Sequence, residues 1–210
     1  MTIERGKSWG EPGPLAADGV VVRTDGEAAD AVAAAFAAGD PLPELGLLGG
    51  DLHRTLGAPG HDEHDLRSGR GTRFPVDLGE VLVERPDGWV THHLFVAHLL
   101  AGGRTRWRGR TVVAMNATFL GSADLGPRAH PNDGLLDVTD GALGWSDRRA
   151  AARREVTGTH LPHPALSERR TAAYKVESDR DLELRVDGRS IGTTRRFEVR
   201  CVPDALVVVA

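Results

Sequence analysis

NATFLGSADLGPRAHPNDGLLDV, Asn116 to Val138, follows the apolar run Thr111–Met115 and carries the densest set of fold signals in the chain. An Asn leaves a strand, a Gly-containing turn and two prolines follow, and Asp133-Gly134 forms a tight turn because Gly supplies a positive φ without steric cost. Leu135, Leu136 and Val138 then restart a strand, with Asp137 beside the turn carboxylate. Two readings stay open for Asp133 and Asp137. One is an ordinary Asp-Gly hairpin. The other is a site for a hard cation such as Mg²⁺, which takes carboxylate and carbonyl oxygens.

Outward from this stretch, short apolar runs separated by Asp-Gly and Gly turns recur at 74–84, 89–100, 111–120, 135–139, 171–177, 181–187 and 196–209. That spacing predicts an antiparallel β region over 73–210, interrupted by one helix capped by Ser146 and running from Asp147 to about Val156. The upstream part reads differently. Gly19–Val22 is a short buried strand, and Glu27–Ala38 is an Ala-rich helix, acidic in its first turn and stopped by Gly39 and Pro41. Leu45–Leu48 is a second strand, and Asp51 is a candidate N-cap for a short helix ending near Gly57. This β-loop-α-β-loop-α order predicts parallel pairing. Residues 57–71 read as a polar linker and residues 1–17 as a flexible Gly/Pro-rich terminus. The expected architecture is a small, truncated α/β nucleotide-binding-like domain at 18–72 joined to a larger antiparallel β-sandwich-like domain at 73–210.

With 210 residues, a net charge of −4 and 27% charged residues, the chain has material for a sizeable core and no nucleic-acid signature, since basic and acidic residues are interspersed. Cys201 is the single cysteine, so no internal disulfide forms, and its apolar strand makes it a small buried hydrophobe. No apolar stretch reaches the roughly 18 residues of a membrane span, and the N-terminus lacks an apolar export core. The expected location is the cytoplasm.

Several further boxes occur in order. They are Val20-Val21-Val22 before Arg23-Thr24-Asp25-Gly26-Glu27, then Gly49-Gly50-Asp51-Leu52-His53-Arg54-Thr55-Leu56-Gly57, then Val76-Asp77-Leu78-Gly79. After the Asn116–Val138 stretch come Gly158-Thr159-His160-Leu161-Pro162-His163-Pro164, Val186-Asp187-Gly188 and Val202-Pro203-Asp204-Ala205-Leu206. Together they resemble the diacylglycerol kinase-like lipid kinases, the group that includes sphingosine kinases and bacterial lipid kinases. The resemblance implies an α/β domain and a β domain with a cleft between them, and ATP-dependent phosphorylation of a lipid or other small-molecule alcohol with Mg²⁺. It implies nucleotide contacts at Arg23, Thr24, Gly26, Gly49, Gly50 and Asp51, a catalytic carboxylate at Asp25, and Mg²⁺ ligands at Asp133 and Asp137. Peripheral contact with the inner membrane leaflet follows from such a substrate.

The boxes also depart from the family pattern. Paired loop glycines are replaced by Arg23 and Thr24, and Glu27 puts a negative charge beside the place of a triphosphate. Gly50 stands at the family's Asn, and Arg189 at the glutamate of its D-G-E box. The 22 residues ahead of Arg23 are few for the family's first βα units. These departures predict weak or absent phosphoryl transfer, with a catalytically inactive binder of a lipid, nucleotide or protein as the alternative. Other clusters read as structural. His92, His93 and His98 alternate along one strand and do not converge; His61 and His64 lie in the linker; Arg104–Arg110 is a basic turn that suits either solvent or an anionic membrane surface. Arg148, Arg149, Arg153 and Arg154 have the spacing of a solvent face. The terminal run Ala205–Ala210 is a core or edge strand that would also suit pairing in a homodimer.

Overall fold

The computed structural model describes residues 9–85, 88–103 and 105–210. The strands are β1 (Glu11–Pro12), β2 (Val20–Val22), β3 (Leu45–Leu47), β4 (Thr72–Glu84), β5 (Val90–Phe95), β6 (His98–Gly102), β7 (Thr111–Met115), β8 (Phe119–Leu120), β9 (Ala123–Asp124), β10 (Leu136–Gly141), β11 (Leu166–Thr171), β12 (Ala173–Val186) and β13 (Arg189–Val209). The helices are α1 (Asp25–Ala38), α2 (Asp51–Thr55), α3 (Glu63–Arg67) and α4 (Trp145–Arg154), the last continued by a 3₁₀ turn at Glu155–Thr157. Among the described residues all strands but β8 and β9 join one curled, mostly antiparallel sheet, with the path β1-β4-β13-β12-β6-β7-β10-β11. The sheet does not stop at the expected boundary near residue 72. β2 pairs in parallel with β3, and β3 pairs in parallel with the end of β13 through Val208↔Leu45 and Val209↔Gly46.

Strand composition follows position. β7, TVVAM, is buried on both faces: Val112 and Ala114 enter the core under β12 and β13, while Val113 and Met115 pack with Trp107, Leu143 and Ala151 below α4. That two-sided burial explains its unbroken apolar run. β11, LSERRT, is an edge strand with mostly solvent-facing charged residues, which suits an edge that must not recruit another chain. The terminal residues Val208, Val209 and Ala210 are buried between β3 and β4, not at an edge.

Local signals were displaced in four places. The expected strand 89–100 is two strands, β5 and β6, separated by a bend at Val96–Ala97. The expected linker contains α3, closed by a reciprocal capping box between Asp62 and Asp65 and anchored by the buried Leu66. Ser146 is not the cap of α4; Gly144 holds that position and Ser146 bonds its neighbour Asp147. Residues 9–17 are packed: Trp9 lies against Phe74 and His130, Leu15 is buried, and β1 pairs with β4. Residues 1–8 of that segment, and Asp87 of the Asp87-Gly88 turn, lie outside the described residues.

Three buried polar side chains hold the bends of the long strands. β13 bulges between Val202 and Leu206 opposite Asp77 of β4, with Asp204 at a φ of 51°. The bulge turns the Asp204 N–H onto the Asp77 carboxylate (2.9 Å), which also accepts from Gly134 N–H (2.7 Å). Asn116, fully buried, donates its side-chain amide to the Asp77 carbonyl and the Val96 carbonyl, each at 2.8 Å. Asp187 and Gly188 sit at φ of 46° and 82°, the left-handed pair that a two-residue hairpin requires, and they join β12 to β13. The Asp187 carboxylate accepts from the N–H groups of Val96, Ala97 and His98 at 2.7, 3.0 and 2.9 Å. Burial pushes this carboxyl up to about 7, against the opposing pull of those three donors.

Two outcomes follow from these contacts. Asp77→Ala strands two backbone donors and should lower the unfolding free energy by about 2–4 kcal/mol in urea titration, with the m-value unchanged. For Asp187 the folded pKa lies above the unfolded value of about 3.9, so its contribution is complete below that value and is lost as pH rises through about 7. The stability advantage of wild type over Asp187→Asn, which does not titrate, should therefore shrink between about pH 4 and pH 7. A gap that stays constant across that range contradicts the assignment.

Candidate functional site

The first loop, Arg23–Glu27, closes on itself. Thr24 is the N-cap of α1 and its hydroxyl accepts from Glu27 N–H (3.1 Å), while the Glu27 carboxylate reaches back to Arg23 N–H (2.7 Å). The pair resembles a capping box, with the Glu bond shifted one residue from the N-cap N–H to that of Arg23. In a phosphate-binding loop those donors face the anion. Here the Thr24 hydroxyl holds the Glu27 N–H, and the Glu27 carboxylate holds the Arg23 N–H just ahead of the cap.

The second loop packs directly on the first. A Cβ on Gly49 would lie 2.6 Å from the Arg23 carbonyl oxygen, and one on Gly50 would lie 2.7 Å from an Asp25 carboxylate oxygen. Gly50 also has a φ of 99°, open to glycine and strained for other residues. The glycine pair thus serves the contact between the two loops. Asp51, expected to cap α2, is its first residue; the capping carboxylate is Asp25, which accepts from Asp51 N–H (2.6 Å) and Leu52 N–H (3.0 Å). Asp51 in turn accepts from Gly121 N–H at 2.8 Å. Asp25, Asp51 and Asp187 are all engaged by backbone N–H groups.

The Asp187 hairpin forms the third wall. A Cβ on Gly26 would stand 3.5 Å from the Asp187 carbonyl oxygen, and Arg189 pairs with Asp30 one turn along α1. His98 is buried with Nδ1 3.8 Å from an Asp187 carboxylate oxygen, and burial holds its imidazolium form down. Burial likewise raises Asp25, against its two N–H donors and with repulsion from Asp51 adding to the rise. The structure therefore brings Arg23, Thr24, Asp25, Gly26, Gly49, Gly50 and Asp51 together with His98 and Asp187. It places Arg189, at the position of the family's acid, on the surface in an ion pair.

Asp133 and Asp137 lie elsewhere, beside the Asp77 clamp. Arg170 of β11 pairs with both, bonding Asp133 and approaching Asp137 at 3.2 Å, and Asp133 also accepts from Leu135 N–H at 3.0 Å. Among the described residues no group of three or more His, Cys, Asp or Glu is arranged to hold a metal ion. The guanidinium supplies the positive charge that the two carboxylates need, so a divalent cation would have to displace it. His92 bonds Glu80 at the surface, apart from His98. Cys201 is a free, half-buried thiol, pushed up to about 12 by burial and the neighbouring Asp77. In the basic turn, Arg106 and the Trp107 indole bind the buried Glu155 and Arg110 binds Asp140; Arg104 lies outside the described residues.

Three residues of this site were legible only in part. Asp187 stands in a recognisable Val-Asp-Gly turn, but its three donors come from about 90 residues away, beyond any local pattern. Thr24 and Glu27 carry a capping spacing that marks them as helix-start residues; their family position hid it.

Comparison with solved structures places the same fold in proteins from Bacillus anthracis str. Sterne. A diacylglycerol kinase matches with a TM-score of 0.57 at 15% identity, covering 80% of this chain and 66% of that one. Two further structures, provisionally described as diacylglycerol kinases, match with TM-scores of 0.60 and 0.59 at 15% and 14% identity, over 80% of this chain and 69% of each of theirs. No curated protein matches in sequence. At these identities the likeness is one of fold. Residues 87–210, more than half of the chain, match the YegS C-terminal NAD kinase beta sandwich-like domain, and the chain belongs to that family.

Proposed function

We propose that this protein keeps the scaffold of the diacylglycerol kinase-like lipid kinases as a lipid-binding relative, with weak or absent phosphoryl transfer. The observation that carries this reading is the closure of the two nucleotide loops on each other. Glu27 holds Arg23 N–H, Asp25 holds the start of α2, and Gly49 and Gly50 bring the second loop against the Arg23 carbonyl and the Asp25 carboxylate, in the space between the loops. Phosphoryl transfer depends on positioning and charge neutralisation, and both need that space. Residues so engaged do not fit ATP, and Asp133 and Asp137, paired to Arg170, do not fit Mg²⁺. A cavity of 360 Å³ between α1 and the β12–β13 hairpin has an apolar side of Ala29, Ala33, Phe36, Val186 and Ile191 and a polar side that includes His93 and Arg189, which supports binding of a small ligand with an apolar body and a polar group.

Thermal melting with Mg²⁺-ATP is the direct test. Saturating a productive site at 100 times its Kd would add about 2.7 kcal/mol, or a Tm rise of about 5–10 °C for a chain of this size. The expected rise is zero. The competing reading, an active kinase with Asp25 as base, requires turnover of about 1 s⁻¹ on diacylglycerols, sphingoid bases or isoprenoid alcohols. That turnover must also disappear in Asp25→Asn.

The acidic turn gives a separate outcome. Arg170→Ala should lower stability by about 1–2 kcal/mol, a figure reduced from that of a buried pair because the guanidinium is partly exposed. Added Mg²⁺ should then restore part of the loss in the variant and leave wild-type melting unchanged. Equal responses of the two proteins to Mg²⁺ would show that Arg170 is not the counter-ion.

A further inference from the structure

The surface around α4 carries an unpaired charge cluster. Ala151 of this helix and Glu155 of the 3₁₀ turn that continues it, four residues apart, are buried, so the opposite face points to solvent. That outward face carries Trp145, Arg149, Arg153 and Val156, with Trp145 67% and Val156 58% exposed. The Arg149 guanidinium lies over the Trp145 ring at 4.8 Å. Arg154 and, on the adjoining turn, Arg108 are also exposed. No ion pair among the described residues holds Arg108, Arg149, Arg153 or Arg154. Elsewhere arginines such as Arg73, Arg110, Arg128, Arg170 and Arg200 are matched to carboxylates.

The patch is also rigid. Buried Glu155 takes Arg106 at 2.6 Å and the Trp107 indole at 2.6 Å, and Leu143 N–H bonds the Trp107 carbonyl at 2.9 Å. These bonds fix the Arg108 turn against α4. Free guanidinium groups with a solvent-exposed indole and valine between them match an anionic lipid–water interface, where headgroups meet the arginines and the aromatic ring sits at headgroup depth. A long acidic polymer would be answered by the arginines alone and gives no role to Trp145 and Val156. We infer that the outward face of α4 docks the protein on the surface of an anionic bilayer. The inference uses no residue of the closed loops and does not depend on the proposed function.

The test is partition of the full chain into phosphatidylcholine vesicles with and without phosphatidylglycerol, read by co-sedimentation and tryptophan fluorescence. Binding is expected only with phosphatidylglycerol, and should fall away near ~1 M salt, where screening is nearly complete. Each arginine neutralised should weaken partition about fivefold, so Arg149→Gln with Arg153→Gln should lower it about 25-fold. Trp145→Ala should weaken it further and remove the blue shift of bound protein. All three side chains are exposed, so the melting temperatures of these variants serve as the folding control. Absence of binding to phosphatidylglycerol vesicles at low salt overturns the inference, and so does partition unchanged in the double variant. Binding to polyglutamate as tight as to vesicles, with no effect of Trp145→Ala, would define a general anion patch and overturn it equally.

Discussion

The structure hangs on Asn116 and the two backbone segments it links, at Asp77 and Val96. Its side-chain amide bridges the carbonyls of Asp77 and Val96 inside the protein. Asp77 fixes the β13 bulge and the Gly134 turn, and the bend that begins at Val96 is held by Asp187. Buried polar groups of this kind cost free energy unless paired, and once paired they specify one arrangement. A curled sheet built on three long strands, of 13, 14 and 21 residues, needs such points because apolar packing alone does not decide where a strand bends.

That fixed framework determines what the loops can do. The Val96–His98 bend and the Asp187 hairpin hold one wall against the start of α1, and Arg189 with Asp30 adds a surface tie. With this wall in place, the second loop meets the first at glycine-only distances. Donors that an open loop would offer to a phosphate are turned to Thr24, Asp25 and Glu27. The same interactions stabilise the fold and bring the two loops into contact.

Sequence patterns with a local cause were readable. α1 follows from its alanines, acidic first turn and Gly39 stop; the Asp133-Gly134 and Asp187-Gly188 turns follow from the need for positive φ; the order of boxes pointed to the family that residues 87–210 match. What stayed hidden had distant causes. The break between β5 and β6 is made by Asp187, the cap of α2 by Asp25, and the burial of the terminal strand by β3 and β4. Asp133 and Asp137 looked alike as Mg²⁺ ligands or turn residues because Arg170, which pairs with both, lies in a charged edge strand without a pattern of its own.

Glycine pairs and Asp-Gly turns therefore do not by themselves mark a phosphate site. A glycine gives the backbone room, and the room can be filled by a ligand or by another loop. At Gly49 and Gly50 the nearest atoms to a hypothetical Cβ are a carbonyl oxygen and a carboxylate of this same chain. A negative side chain three residues past an N-cap is the second discriminator. Glu27 can bond Arg23 N–H only while no phosphate does, and its charge repels the phosphate that would compete for it. At the start of α1 the Glu27 carboxylate and the Thr24 hydroxyl hold two N–H groups, those of Arg23 and Glu27, from within the chain.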